Sequence, residues 1–391
     1  MHRARVKPEL IRWVRKDAGL SVAVAAKKAG TSETIVRQWE EGTLQPTIRQ
    51  LRLLANAARR PIAIFYLAEP PWKFTALRDF RRLPGDPEAD QSPALRLAVR
   101  LACERRRVAL DLAADLDDMP SPLPIRASLR EPVGAVARRI RDLLGVSIED
   151  QRQWRGEYDA LNNWRRAIQD LGVLVFQARG VEVDEMRGFS VAEEPMPVIV
   201  LNTRDAPNGR VFTLFHEFCH LLLRKGGICD LRDRGSHRPE DSAIEVFCNA
   251  VAAEVLVPRR DFLRSPLVRD HPTGIDWQES ELRSLARDFS VSWEVVLRRM
   301  LDTAQITRRA YRDLREAMLA GYRVNRNAQT GFVTPDVAAV TSLGQEFVKL
   351  VLVSYYQDRI TSRDVSEYLG VRLKHMARIE ERVMGSRVMF G

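Results

Sequence analysis

His216 and His220 stand four residues apart, with Glu217 directly after the first, in the run VFTLFHEFCHLLL (211–223). On a helix this spacing puts both imidazoles on one face, where both can reach one ion, and sets Glu217 beside the open coordination position. Thr213 and Cys219 aside, the rest of the run is large and apolar, so the helix is expected to be buried nearly all round. Two imidazoles and a carboxylate buried without partners would be strongly destabilising. The pattern HExxH therefore reads as two zinc ligands and a general base, against the alternative of core histidines bonded to neighbouring carbonyls. With six histidines in 391 residues, the pattern is expected by chance only roughly 0.01 times.

A catalytic zinc takes a third protein ligand and keeps one position open. The following helical segment, EDSAIEVFCNAVAAEVLVP (240–258), offers Glu240, Asp241, Glu245 and Glu254. Glu240 and Asp241 suit the helix start, where the dipole favours negative charge. Glu245 shares a face with Asn249, Ala252 and Ala253, small residues that let two helices approach, and is the chosen third ligand. Glu254 is assigned to solvent or to a structural salt bridge. Cys219 and Cys248 read as small buried hydrophobes, the alternative being a thiolate-ligated, closed and inactive site. His237, in the loop RDRGSHRPED, is a candidate donor to a tetrahedral oxyanion, a role that a tyrosine such as Tyr158 could also fill.

These side chains need a scaffold. An amphipathic helix over 158–171 leads into strand candidates VLVFQ (173–177), RGFSV (187–191) and PVIVLN (197–202), bounded by Gly, Pro and Asn. Helical segments follow at 209–224 and 241–257, and 276–391 is mostly helical. Upstream, 93–117 and 133–144 are helical in pattern, and EPPWKF (69–74) reads as a linker. No internal repeat is evident, and residues 323–391 carry no motif beyond helices expected to serve in dimerisation.

The string RGFS…PVIVLN…RVFTLFHEFCHLLL…IEVFCNAVAAEVLVP resembles the ImmA/IrrE metallopeptidases over about residues 155–310, with FSVSWEVVLRRM (289–300) similar to that family's helix after the site. The resemblance implies a zincin-like core, Zn2+ on His216, His220 and Glu245, and Glu217 as general base. It also implies a substrate class, since the family's known substrates are helix-turn-helix repressors.

Composition agrees with a globular chain: 45% hydrophobic, 29% charged and only four cysteines. No apolar run reaches the ~18 residues of a membrane span, and no apolar segment backs the basic N-terminus, so a cytoplasmic, reduced protein without membrane partners is expected. The net charge of +10 is uneven, with 14 Lys/Arg against six Asp/Glu in residues 1–75. That basic head reads as four short helices, and GLSVAVAAKKAGTSETIVRQWEEGTLQP (19–46) resembles the phage-repressor-like, XRE-type helix-turn-helix family. In that reading Ser32, Thr34, Arg37 and Gln38 lie on the outer face of the recognition helix, and Lys27 and Lys28 meet phosphates.

The expected architecture is multidomain. An all-α helix-turn-helix domain (1–68), a helical connector (69–150), an α+β zincin-like metallopeptidase core (151–310) and a helical C-terminal region (311–391) follow one another. The expected function is zinc-dependent endopeptidase action in gene regulation, on a repressor protein, with DNA bound by the head. The alternative is a non-proteolytic transcription regulator or antitoxin that binds DNA and a toxin-like partner.

Overall fold

Hydroxyl caps and left-handed glycines punctuate the N-terminal helices α1 (Pro8–Asp17), α2 (Val22–Ala29), α3 (Glu33–Glu41) and α4 (Ile48–Ala57). The Ser21 Oγ accepts from the Val24 N–H at 3.2 Å and starts α2. That helix stops where Gly30 takes φ 66°, a region a residue without Cβ enters at no steric cost. The Ser32 Oγ accepts from the Ile35 N–H at 3.4 Å and starts α3. Val36 and Trp39 then turn into a core shared with Ile11, Val14, Leu51 and Leu54. Arg15 fastens α1 to α3 through a two-pronged ion pair with Glu40, at 2.5 and 2.9 Å.

The computed structural model describes residues 3–70, 92–225, 228–229, 239–272, 276–325 and 334–385. The chain divides into two compact units, the first holding the described residues up to 101 and the second those from 102 onward. The division falls within α5 (Pro93–Asp115). Among the described residues no single helix is long and apolar enough to cross a membrane.

The second unit continues with α6 (Val133–Leu144), α7 (Ile148–Gln153) and α8 (Glu157–Gln169). A small sheet follows, built from β1 (Leu174–Ala178), β2 (Gly188–Val191), β3 (Val198–Asn202) and the two-residue β4 (Ile228–Cys229), in the order β1-β3-β2-β4. β1 runs parallel to β3, from Leu174 opposite Val198 to Ala178 opposite Asn202, and β2 runs antiparallel to both β3 and β4. Every residue of β1, β2 and β3 is buried, which is why these strands read as apolar runs rather than alternating ones. The chain then forms α9 (Pro207–Leu222) and α10 (Pro239–Leu256). Next come α11 (Arg259–Arg264), α12 (Pro266–Arg269), α13 (Glu279–Asp288), α14 (Trp293–Asp302) and α15 (Arg308–Asn325). The last helices are α16 (Pro335–Leu343), α17 (Gln345–Tyr356), α18 (Ser362–Leu369) and α19 (Met376–Met384). The protein is thus mostly helical, and in chain order one small mixed sheet follows a helical head and precedes a helical C-terminal region.

Two features fix α9 over the sheet. The fully buried Asn202, last residue of β3, donates from Nδ2 to the Val181 and Met186 carbonyls at 3.1 and 2.7 Å and accepts from the Arg204 N–H at 2.9 Å. This ties the β3–α9 turn to the β1–β2 connection. Gly188 opens β2 where α9 crosses it: a Cβ there would run into the Thr213 methyl and sit 3.0 Å from the Val200 carbonyl and 3.4 Å from the Glu217 Cγ. The stretch expected as a connector packs into this core as well, since Val136, Ile140 and Ile148 share one hydrophobic cluster with Phe215 and Phe218 of α9.

Gly188→Ala is therefore expected to lower stability by about 1–3 kcal/mol through overpacking. Gly134→Ala, in α6 with open space around the new methyl, should raise stability by about 0.4–1 kcal/mol through the unfolded chain. Opposite displacements of the urea midpoint check the pair.

Candidate metal centre

α9 is buried along nearly its whole length, and the three ionisable residues of its motif are fully buried: His216, Glu217 and His220 each have no exposed surface. Apolar packing holds the helix in place, with Phe215 edge-on to Trp164 of α8 at 4.7 Å between ring centroids. Such a helix carries imidazoles into the core only if other elements bring partners to them.

α10 brings two. The Glu245 Oε2 lies 3.3 Å from the His216 Nε2, and its Oε1 lies 3.2 Å from the His220 Nε2. The two Nε2 atoms are 3.1 Å apart. One turn further along α10, the Asn249 Oδ1 accepts from the His216 Nδ1 at 2.9 Å. That bond places the proton on Nδ1 and turns the Nε2 lone pair inward, the arrangement a metal-ligating histidine needs.

The two Nε2 atoms stand 3.1 Å apart, and each has a different oxygen of the Glu245 carboxylate 3.2–3.3 Å away. An ion about 2.0–2.1 Å from each of four ligands holds those ligands ~3.3 Å apart, so the donor set fits a tetrahedral N,N,O site. Among the described residues, His216, His220 and Glu245 form one group able to hold a metal. The buried cysteines Cys219 and Cys248 stand outside that group.

Electrostatics agree with the geometry. Burial pushes the Glu245 carboxyl up, yet the close approach of His216 and His220 outweighs burial and holds it well below the usual carboxylate range. Burial pushes His216 down, and the bond and charge of Glu245, with help from Glu217 and Asn249, more than reverse this. Glu217 moves the other way: burial raises it, against the lowering influence of His220, His216 and Ser190.

Ser190, in the middle of β2, is a functional partner that motif spacing does not reveal. Its hydroxyl donates to the Glu217 Oε2 at 2.8 Å, while the Glu217 Oε1, equally buried, has no hydrogen-bond partner among the described residues. A signal is present in FSV: a hydroxyl between two apolar residues of a fully buried strand must find an acceptor.

The far end of α10 is pinned. Gln151 donates to the Leu256 and Phe289 carbonyls at 2.9 and 2.5 Å, and Arg141 donates to the Val255 carbonyl at 2.8 Å. These bonds satisfy carbonyls that a helix C-terminus leaves open. Glu254 pairs with the buried Arg299 of α14 at 2.9 Å, so it serves the scaffold as expected. Tyr158 is largely exposed and lies against the Arg210 guanidinium, away from the donor group. His237 lies outside the described residues. In the head, Lys27, Lys28, Ser32, Thr34 and Arg37 are exposed and Gln38 is half-buried, and Ser32 also caps α3.

Residues 168–301 match the family model of a peptidase family described as the IrrE N-terminal-like domain, a span from the end of α8 to the last turn of α14. Residues 11–65 match the family model described as helix-turn-helix. No curated protein matches the chain. A metallopeptidase-type domain joined to a DNA-binding domain fits a regulatory protease or regulator.

Removal of one ligand should weaken metal binding more than removal of a group behind a ligand, whose loss costs ~10–100-fold. Glu245→Gln is expected to lose bound zinc and the rise in melting temperature that zinc confers by binding only the folded form. Asn249→Ala should weaken binding within that ~10–100-fold range. Glu254→Gln should keep zinc while melting earlier, because Arg299 stays buried without its carboxylate. Elemental analysis and thermal melts with and without added zinc check all three.

Proposed function

We infer that this protein is a zinc-dependent endopeptidase acting in gene regulation, with a head that binds DNA. One observation carries the reading: a carboxylate buried beside an N,N,O donor set, bonded on one oxygen and open on the other. A structural zinc site has its positions filled by protein and needs no such group.

His216, His220 and Glu245 would hold the zinc. When bound, the ion supplies Lewis acidity to the scissile carbonyl and makes a water easier to deprotonate. Glu217 takes the proton of the attacking water on its free Oε1 and passes it to the leaving amine. Burial raises its pKa above the usual carboxylate range, the direction that makes a carboxylate a better proton acceptor. Ser190 holds the other oxygen, so the carboxylate cannot swing towards the histidines. Asn249 keeps His216 in the tautomer that presents Nε2.

The substrate class proposed is a helix-turn-helix repressor. The match over residues 168–301 supports peptidase chemistry, and the match over residues 11–65 supports action near promoters. The residues proposed to read base edges are Ser32, Thr34, Arg37 and Gln38, and those proposed to meet phosphates are Lys27 and Lys28.

The deciding experiment incubates the zinc-loaded protein with the helix-turn-helix repressor encoded nearest its gene and follows cleavage by mass spectrometry. Glu217→Gln is expected to slow cleavage by roughly 10²–10⁴-fold, the usual weight of a general base, with metal content unchanged. Full cleavage by that variant would remove Glu217 from the mechanism. A zinc-loaded wild-type protein that cleaves no repressor, yet regulates transcription, would establish the regulator reading instead.

A further inference from the structure

Four arginines are almost wholly buried among the described residues: Arg100, Arg165, Arg210 and Arg299. Two of them meet a carboxylate, Arg100 at Asp17 and Arg299 at Glu254, at 3.4 and 2.9 Å. Arg165 of α8 and Arg210 of α9 have no ion pair among the described residues. They also stand near enough to each other for the charge of Arg210 to bear on Arg165.

Both reach into one polar cluster beside β1. The Thr341 carbonyl, in the last turn of α16, accepts from the Arg165 Nη2 at 3.0 Å and from the Gln177 Nε2 at 3.1 Å. The Gln177 Oε1 in turn accepts from the Arg210 Nη1. The Arg165 Nη2 also donates to the Val175 carbonyl at 3.1 Å. Gln169, one turn after Arg165 on α8, lies against the turn between α16 and α17. A Cβ on Gly344 of that turn would sit 2.6 Å from the Gln169 Nε2 and 2.9 Å from the Val175 carbonyl.

Donors outnumber acceptors in this cluster. The Arg165 Nε, the Arg210 Nε and the Gln169 Nε2 are buried and have no hydrogen-bond partner among the described residues. The acceptors that serve the two guanidiniums there are neutral: the Val175 and Thr341 carbonyls and the Gln177 Oε1. The C-terminal end of a helix such as α16 adds about half a negative charge, against two cations. Asp205 and Glu157 offset part of the burial of Arg210, but Asp205 is already paired with Arg187 at 3.2 Å.

No acid does the same for Arg165. Burial, and then Arg210, push its guanidinium down to about 10, so it still carries its charge at neutral pH. A buried charge of that kind is costly until an anion answers it. The cluster also has an outer end. Tyr158, largely exposed, lies over the Arg210 guanidinium at 5.7 Å, so one exposed side chain stands between that end and solvent.

We propose that Arg165 and Arg210, with Gln169 and Gln177, form a binding site for a phosphate group, either inorganic phosphate or a phosphate monoester. Guanidinium forks match phosphate oxygens two at a time. A phosphate monoester carries about −1.5 to −2 at pH 7, which balances two cations where a carboxylate's single charge does not. Arg210 precedes His216 by six residues, about 9 Å along α9, so the site is separate from the metal donors and does not depend on the peptidase reading. Bound there, the anion ties the turn after α16 to the helix that carries those donors.

The test is equilibrium dialysis of the full-length protein against labelled inorganic phosphate at fixed ionic strength, which should reveal one saturable site per chain. Glycerol phosphate should compete more strongly than unlabelled phosphate if the ligand is a monoester, and less strongly if it is inorganic phosphate. Acetate should compete at least ~10-fold more weakly than either, as befits a single charge. Arg210→Lys keeps the charge but loses the fork, and should weaken binding by ~10-fold or more. Arg165→Met should abolish saturable binding. In phosphate-free buffer it should melt no earlier than its parent, because an apolar side chain of similar length replaces an unanswered buried cation. If Arg165 only braces the Val175 and Thr341 carbonyls, that variant melts earlier and Arg210→Lys binds as the parent does. Should Arg165→Met melt early for any reason, Arg210→Lys decides. Glu245→Gln should bind phosphate as its parent does, which separates this site from an anion held on a metal. Absence of a saturable site, unchanged binding by Arg210→Lys, acetate competing as well as phosphate, or loss of binding in Glu245→Gln each overturns the proposal.

Discussion

A charged constellation inside an apolar helix sets the terms for the second unit. His216, Glu217 and His220 are fully buried on α9, and groups of this kind are costly in a core unless partners are brought to them. The answers come from two directions. α10 supplies Glu245 and Asn249, and β2 supplies Ser190. Neither element could move far without leaving a buried ionisable group unanswered in a medium of low dielectric.

That constraint explains features remote from the donors. Gly188 must lack a side chain because α9 lies directly on β2, and the same closeness brings Ser190 within reach of Glu217. α10 must hold its position along its axis as well as its distance, so Gln151 and Arg141 grip its last carbonyls and Arg299 grips Glu254. Buried pairs of this sort add little net stability against apolar packing but are costly to break. Their effect here is to make one placement of α10 much better than its neighbours.

The helix–turn–helix turns show the reverse relation between local and tertiary structure. A left-handed residue and two closing hydrogen bonds end helices at Gly30, Ser290 and Gly370, as they do at Gly19 and Gly42. The local code is the same each time. Packing decides whether the helix that follows is an apolar strut, as in α14, or turns a face outward, as in α3.

Much of this is legible in the chain. The spacing of His216, Glu217 and His220 marks a candidate metal site because helical periodicity is fixed by backbone geometry. The choice of Glu245 over Glu254 follows from the small residues beside it. Strand runs at 173–177, 187–191 and 197–202 stand out by composition, and the caps at Ser21 and Ser32 by residue type. Ser190 is visible only as a misplaced hydroxyl. Which elements form, and which side chains could do chemistry, can be read from the chain because both depend on neighbours a few residues away. Only the tertiary structure decided that Glu245, Asn249 and Ser190 meet α9 at bonding distance. Bonds between residues 27 to 33 positions apart depend on how whole elements pack, which no local spacing encodes.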